Sequence, residues 1–231
     1  MSSSISNLAS RFKSLLRART PLIFKWSKYF YVKWRRWTGT RRVKGLIKEN
    51  RTRRIILGAA NQRDEGWLPT DIYELDITAE LDWARFFQPG SVDSMLAEHV
   101  WEHLTKEQGR LAALNCYKYL KPEGHLRVAV PDGFNPDPNY IEGVRVGGTG
   151  PGAQDHKVIY NCKTIKHLFE EAGFYVYLLE YFDENGVFRT ASWSLADGTI
   201  HRSSLHHPEL PPGGINSSLI LDARKRREPD D

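Results

Sequence analysis

Short apolar runs, each closed by a turn signal and separated by amphipathic stretches, constrain this chain more than any other feature. Arg54-Ile55-Ile56-Leu57 ends at Gly58, Val92 to Leu96 forms a second run, and Leu126-Arg127-Val128-Ala129-Val130 is closed by Pro131. Runs this short and this apolar suit strands buried on both faces, which is the condition of parallel sheets. Between the last two, Thr105-Lys106-Glu107-Gln108 has capping-box spacing, Leu111 and Leu114 continue an apolar stripe, and Lys121-Pro122-Glu123-Gly124 breaks the helix. Ile165, Leu168, Phe169 and Ala172 recur at helical spacing, and Gly173 is placed for the left-handed position past the helix end. Tyr175 to Phe182 and Leu219 to Ala223 read as closing strands, with a Pro-, Gly- and His-rich excursion between them. The expected fold is α/β, a doubly wound and mostly parallel Rossmann-like sheet. Its ligands should bind beyond the carboxyl ends of the strands, near Gly58, Asp71, Glu98 and Asp132.

Charge divides the chain. Residues 1–54 hold 16 of the 33 Lys and Arg and a single acid, Glu49, a formal +15 that leaves −10 for residues 55–231. The break suggests a basic N-terminal arm over 1–53, a globular domain over 54–227 and a tail over 228–231. In the arm, Ile23, Trp26, Phe30, Trp34 and Trp37 fall on one helical face, with Lys25, Lys28, Arg35 and Arg36 largely on the other. That is the pattern of a helix lying in an anionic membrane surface through residues 11–44. It cannot span, because Lys or Arg interrupts every run well short of the roughly 20 apolar residues a crossing needs. Three other readings stay open. The aromatic face could pack on this protein's own core or on a second copy. It could bind nucleic acid, against which the acidic remainder argues by repulsion. Or the Ser- and Arg-rich stretch Met1 to Arg19 could be an organellar presequence. Oligomeric state is not legible. Cys116 and Cys162 stand outside any CxxC pair, which argues against a disulfide scaffold and a zinc ribbon and for a reducing compartment. The expected location is cytoplasmic, with peripheral attachment to the membrane.

The turn Gly58-Ala59-Ala60 offers small residues where a backbone approaches a ligand. As a dinucleotide fingerprint it fails, since the spacing demands glycine at 58, 60 and 63 and the chain has Gly58, Ala60 and Arg63. In order along the chain come Leu57-Gly58-Ala59-Ala60, Gly66-Trp67, Asp71-Ile72 and Pro89-Gly90-Ser91-Val92-Asp93. Glu98-His99-Val100-Trp101-Glu102-His103-Leu104 follows, then the stretch from Leu120-Lys121-Pro122-Glu123-Gly124 to Val130-Pro131-Asp132, then Leu168-Phe169-Glu170-Glu171-Ala172-Gly173-Phe174. This set resembles the class I S-adenosylmethionine-dependent methyltransferases, in particular the small bacterial type with a shortened first helix, from about Arg54 to Lys225. The resemblance implies that Gly58, Ala59 and Ala60 pass under the methionine part of the cofactor, that Asp71 holds the ribose hydroxyls, that Asp76 and Ile77 flank the adenine, and that Glu98 borders the site. It further implies methyl transfer to an oxygen or nitrogen of a small-molecule or glycan-like acceptor, with His99 and His156 as candidate bases. The family's loop usually carries a second glycine where this chain has Ala60. That departure motivates the rival reading, a non-catalytic, membrane-attached binding module on a decayed fold.

His99-Val100-Trp101-Glu102-His103 also fits H-x-x-E-H, a zinc-peptidase signature. That chemistry needs the motif inside a long helix, whereas here it leaves a strand a turn before the helix start at Thr105, so no metal is expected. Glu102 and His103 then read as capping and packing residues. Gly147 to Gly152 reads as a lid able to carry Asp155 and His156 over an acceptor, and His201, His206 and His207 as members of a solvated loop.

Overall fold

The computed structural model describes residues 30, 31, 33–49, 53–206 and 217–227. The readings placed on Ile23, Lys25, Trp26, Lys28, His207, Met1 to Arg19 and the 228–231 tail lie outside them. Two compact units are present, Met1–Arg42 and Val43–Asp231. Of the first, the described residues are helical, and Phe30, Tyr31, Trp34 and Trp37 are exposed by 62%, 50%, 58% and 56%. No helix among the described residues is long and apolar enough to cross a membrane.

The second unit begins with a helical segment over 43–49 (α1). Val43 is fully buried there and Leu46 and Ile47 pack beside it, so the core takes in residues that the charge break assigned to the arm. The strands are β1 (Arg54–Ile56), β2 (Trp67–Pro69), β3 (Val92–Glu98), β4 (Leu120–Val130), β5 (Tyr175–Phe182), β6 (Phe188–Thr190) and β7 (Leu219–Arg224). Their order in the sheet is β2-β1-β3-β4-β7-β5-β6. β1 pairs in parallel with β2 and β3, and β3 with β4, whereas β7 runs antiparallel to both β4 and β5.

Side chains alternate across this sheet as a period of two demands. Helix α4 spans Pro138–Val144, and Ile55, Leu57, Val128, Val130, Leu219 and Leu221 enter one core cluster with residues of α2 (Glu80–Ala84), α3 (Lys106–Tyr119) and α5 (Cys162–Glu171). Ile56, Leu96, Ala129 and Ile220 enter a second cluster on the other face, closed by Trp67, Ile200 and Trp193. Part of the excursion between β6 and β7 therefore covers a face that helices cover in a doubly wound sheet. Arg127 anchors it. This fully buried guanidinium makes two bonds to Asp222, of 2.8 and 2.9 Å, and donates to the Ser194 and Gly198 carbonyls, with the Trp193 ring 4.4 Å away. Five charge-assisted hydrogen bonds at most leave a guanidinium, and four of them are used here, which is what makes its burial tolerable.

The capping box at Thr105 and Gln108 forms, and Gly173 takes a positive φ of 102° after α5. The expected stripe on α3 does not hold. Leu111 and Leu114 are 38% and 37% exposed, while Gly109, Ala112, Ala113 and Cys116 face inward. Small residues let the helix approach closely: a Cβ at Gly109 would lie 3.4 Å from both Leu168 and Trp101. The Lys121-to-Gly124 break survives as an irregularity within β4, where the pairing slips between Val92 and Ser94 and Glu123 adopts φ +65°.

Candidate active site

Carboxyl ends of β1, β3 and β4 converge on one edge of the sheet, and two cavities open there. The smaller, of about 260 Å³, is lined by Gly58, Asp71, Asp76, Ile77, His99 and Val100, among others. Gly58 follows β1 with φ +62°, a conformation that suits glycine, and a Cβ there would lie 2.7 Å from Val100 Cγ2. The Ala59 amide donates to Thr70 O and ties the turn to the end of β2. Ala60 is held at φ +43°, so the position that carries glycine in the resembled family is one where the backbone itself favours it. Asp71 accepts the Ile72 amide at 2.7 Å, and Asp76 accepts the amide and hydroxyl of Thr78 at 3.0 and 2.7 Å. The Ile77 carbonyl is fixed by Trp83 Nε1 and Asn115 Nδ2, which locks the segment beside the cavity.

Two of the expected cofactor residues also make contacts within the protein. Ala59 is buried in the second core cluster. Glu98 ends β3, and its carboxylate accepts the His201 and Arg202 amides and the His201 ring at 2.8 to 3.2 Å, fastening the excursion to the strand end.

The larger cavity, of about 570 Å³, is lined by His99, Glu102, Tyr140, Val144, His156 and Arg202, among others, with Gly150 and Pro151 of the glycine-rich loop at its wall. His99 and His103 line both cavities. His99 leaves β3 at φ +56°, a strained conformation for a ring-bearing residue, with its amide bonded to Ala129 O. Nδ1 lies 2.8 Å from Glu102 Oε1 and Nε2 lies 3.1 Å from Ser218 Oγ. A carboxylate only accepts, so Nδ1 carries the proton, and Nε2 is left as the acceptor for the serine hydroxyl. Ser218 is 1% exposed, so this relay orients the imidazole and does not present a serine nucleophile. Glu102 is itself 1% exposed, and its Oε2 is buried with no hydrogen-bond partner among the described residues. Among the described residues, Glu102, His103 and His156 each offer a donor atom within 4.8 Å of the others.

His156 reaches the cavity from the short 3-10 turn Ala153–Asp155, with Nδ1 2.7 Å from the Val144 carbonyl. Burial raises the Tyr140 phenol to about 12, and burial followed by the Glu102 charge raises Tyr160 to about 12 as well. Asp132, which accepts the Phe182 and Phe134 amides at 2.7 and 2.9 Å, is pushed up to about 6 by burial. His201 and His206 make separate contacts, to Glu98 and to the Trp193 carbonyl. The pairing of His99 with Glu102 was available in the H-x-x-E spacing, which places the two one turn apart. Ser218, Tyr140 and Arg202 carried no sequence signal, because only the fold brings them to His99 and its cavity.

The strand order decides the fold class: a parallel β2-β1-β3-β4 half, then β5 parallel to it, with β7 inserted antiparallel between β4 and β5. The fold is a Rossmann-like, doubly wound and mostly parallel α/β sheet. No protein-family model matches the sequence, and no curated protein does. Solved structures do match. An S-adenosylmethionine-dependent methyltransferase from Archaeoglobus fulgidus shares 14% identity over 82% of this chain and 94% of its own, with a TM-score of 0.42. A Thermotoga maritima protein, described as a possible histamine N-methyltransferase, shares 12% over 91% and 100%, with a TM-score of 0.45. The CurJ carbon methyltransferase shares 15%, with a TM-score of 0.45; the match covers 77% of this chain and half the length of that one.

Proposed function

We propose that this protein transfers a methyl group from S-adenosylmethionine to an oxygen or nitrogen of a small or glycan-like acceptor. The observation that carries the reading is the pair of cavities at the carboxyl edge of the sheet, joined through His99 and His103. The smaller suits the cofactor in its chemistry. Asp71 supplies a carboxylate able to accept both hydrogens of a ribose diol, Leu75, Ile77 and Leu104 supply apolar walls, and Gly58 leaves the backbone uncovered. The bound cofactor would supply an electrophilic methyl on a sulfonium. The residues of the chain then have two tasks: to hold an acceptor in the larger cavity, and to remove its proton as the methyl arrives. His99 is placed for the second task, because Glu102 fixes its Nδ1 proton and stabilises the imidazolium formed when Nε2 takes a proton, with the Ser218 hydroxyl turning aside. His156 is the second candidate, with Nε2 left as its acceptor atom.

Glutamine at position 99 should lower turnover by about 100-fold or more and leave cofactor affinity unchanged, as expected for a general base. Equal loss of both would assign His99 to binding. The absence of methylation for any hydroxyl or amine acceptor in a broad screen, with the cofactor bound, would favour the non-catalytic binding module.

Attachment to an anionic membrane belongs to the same proposal. The exposed Phe30, Trp34 and Trp37 stand among Arg35, Arg36, Arg41 and Arg42, and the whole basic segment carries +15.

A further inference from the structure

We propose that Glu102, His103 and His156 bind a first-row divalent transition ion, with Zn2+ the best match, in the wall of the larger cavity. Four observations point to it. The donor atoms of these residues lie within 4.8 Å of one another. Glu102 is 1% exposed, Oε1 is taken by His99, and the buried Oε2 has no hydrogen-bond partner among the described residues, a state that a cation relieves. His156 is 7% exposed and donates Nδ1–H to the Val144 carbonyl at 2.7 Å, which turns the Nε2 lone pair toward any ion and is the outer-shell bond that metal-bound histidines usually make. The His103 ring meets His156 edge-on at 4.9 Å, which brings the second imidazole to the same place.

Two nitrogens and one carboxylate oxygen form a donor set for zinc or its neighbours and a poor one for Mg2+ or Ca2+, which prefer oxygen alone. Three protein ligands beside an open cavity leave a coordination position for an outside oxygen. The H-x-x-E-H spacing contributes differently from its peptidase use: His99 is held by the glutamate, and the chain-distant His156 takes its place. Two features oppose binding. A tetrahedral ion with bonds near 2.1 Å needs donors about 3.4 Å apart, so the more exposed His103 must rotate inward. Arg202 lines the same cavity and repels a cation unless an anionic ligand lies between them.

An acceptor hydroxyl in the open position would be acidified by the ion, and with Nε2 of His156 coordinated, His99 alone remains the candidate base. That consequence rests on the acceptor reading, but the ion's binding does not, and the test uses neither cofactor nor acceptor. Full-length protein stripped with chelator is titrated calorimetrically with Zn2+ alone, and separately with Co2+ while visible absorption is recorded. One equivalent of Zn2+ per chain, the d–d bands of a low-coordinate Co2+ site, and weakening of more than about 100-fold in both His103→Ala and His156→Gln are expected, with His201→Ala unaffected. The proposal is overturned by failure of the wild-type protein to bind one equivalent, or by unchanged affinity in His103→Ala, whose more exposed position makes unfolding an insufficient explanation.

Discussion

Replacing Gly58 by Ala tests the turn on which the smaller cavity is built. Two costs are legible. The φ of +62° is a left-handed conformation that costs an L-residue about 1 to 2 kcal/mol. The new Cβ would lie 2.7 Å from Val100 Cγ2, closer than carbon atoms approach, so Val100 must leave its rotamer for roughly 0.5 to 1.5 kcal/mol. Against these, alanine restricts the unfolded chain and returns about 0.4 to 1 kcal/mol. Net destabilisation of about 0.5 to 3 kcal/mol should appear in urea unfolding followed by far-UV circular dichroism. A double-mutant cycle with Val100→Ala isolates the second cost, because removing the methyls relieves the overlap and leaves the backbone strain. The coupling should be about 0.5 to 1.5 kcal/mol in favour of the double variant. Since Val100 lines the cavity, Gly58→Ala should also weaken cofactor binding. A Gly58→Ala protein as stable as wild type, or strict additivity with Val100→Ala, would refute the geometry.

Ala60→Gly should stabilise the domain by about 0.5 to 1 kcal/mol in the same assay, because relief at φ +43° exceeds the entropy that glycine adds to the unfolded chain; a loss of stability would show that the turn tolerates alanine without strain. Asp132 gives a pH signature. Its folded carboxyl is raised to about 6, so the folded state holds the proton more tightly, and its contribution to stability falls as pH rises from about 4 to about 6 and is constant above. The stability difference between wild type and Asp132→Asn should therefore shift by about 3 kcal/mol over that window, near 1.4 kcal/mol per unit, and parallel curves would contradict the burial argument. Deleting residues 1–42, which stops short of the buried Val43, should abolish binding to anionic vesicles at low salt and leave cofactor binding intact; an intact chain that ignores such vesicles would dismiss the membrane reading.

Local chemistry explains which parts of the fold could be read from sequence. Thr105 and Gln108 form their box, Gly173 takes its left-handed position, and β1, β3 and β5 fall on the expected runs, because each is set by neighbours within a few residues. Leu111 and Leu114 misled because leucine normally marks the buried face, whereas on α3 close packing selects Gly109, Ala112, Ala113 and Cys116. In the site, Gly58, Asp71, Asp76, Ile77, His99 and His156 all line one of the two cavities. The Glu98 carboxylate also bonds His201 and Arg202, contacts 103 and 104 residues away that no local pattern announces. The same distance in sequence concealed Ser218 behind His99 and Asp222 beside Arg127.

Calorimetry of the full-length protein with S-adenosylmethionine and with its demethylated product tests the central claim most directly. One site per chain should bind both, and Asp71→Ala should weaken each by about 1.5 to 3 kcal/mol through loss of a charge-assisted acceptor while the variant stays folded. A folded wild-type protein that binds neither compound would contradict the account.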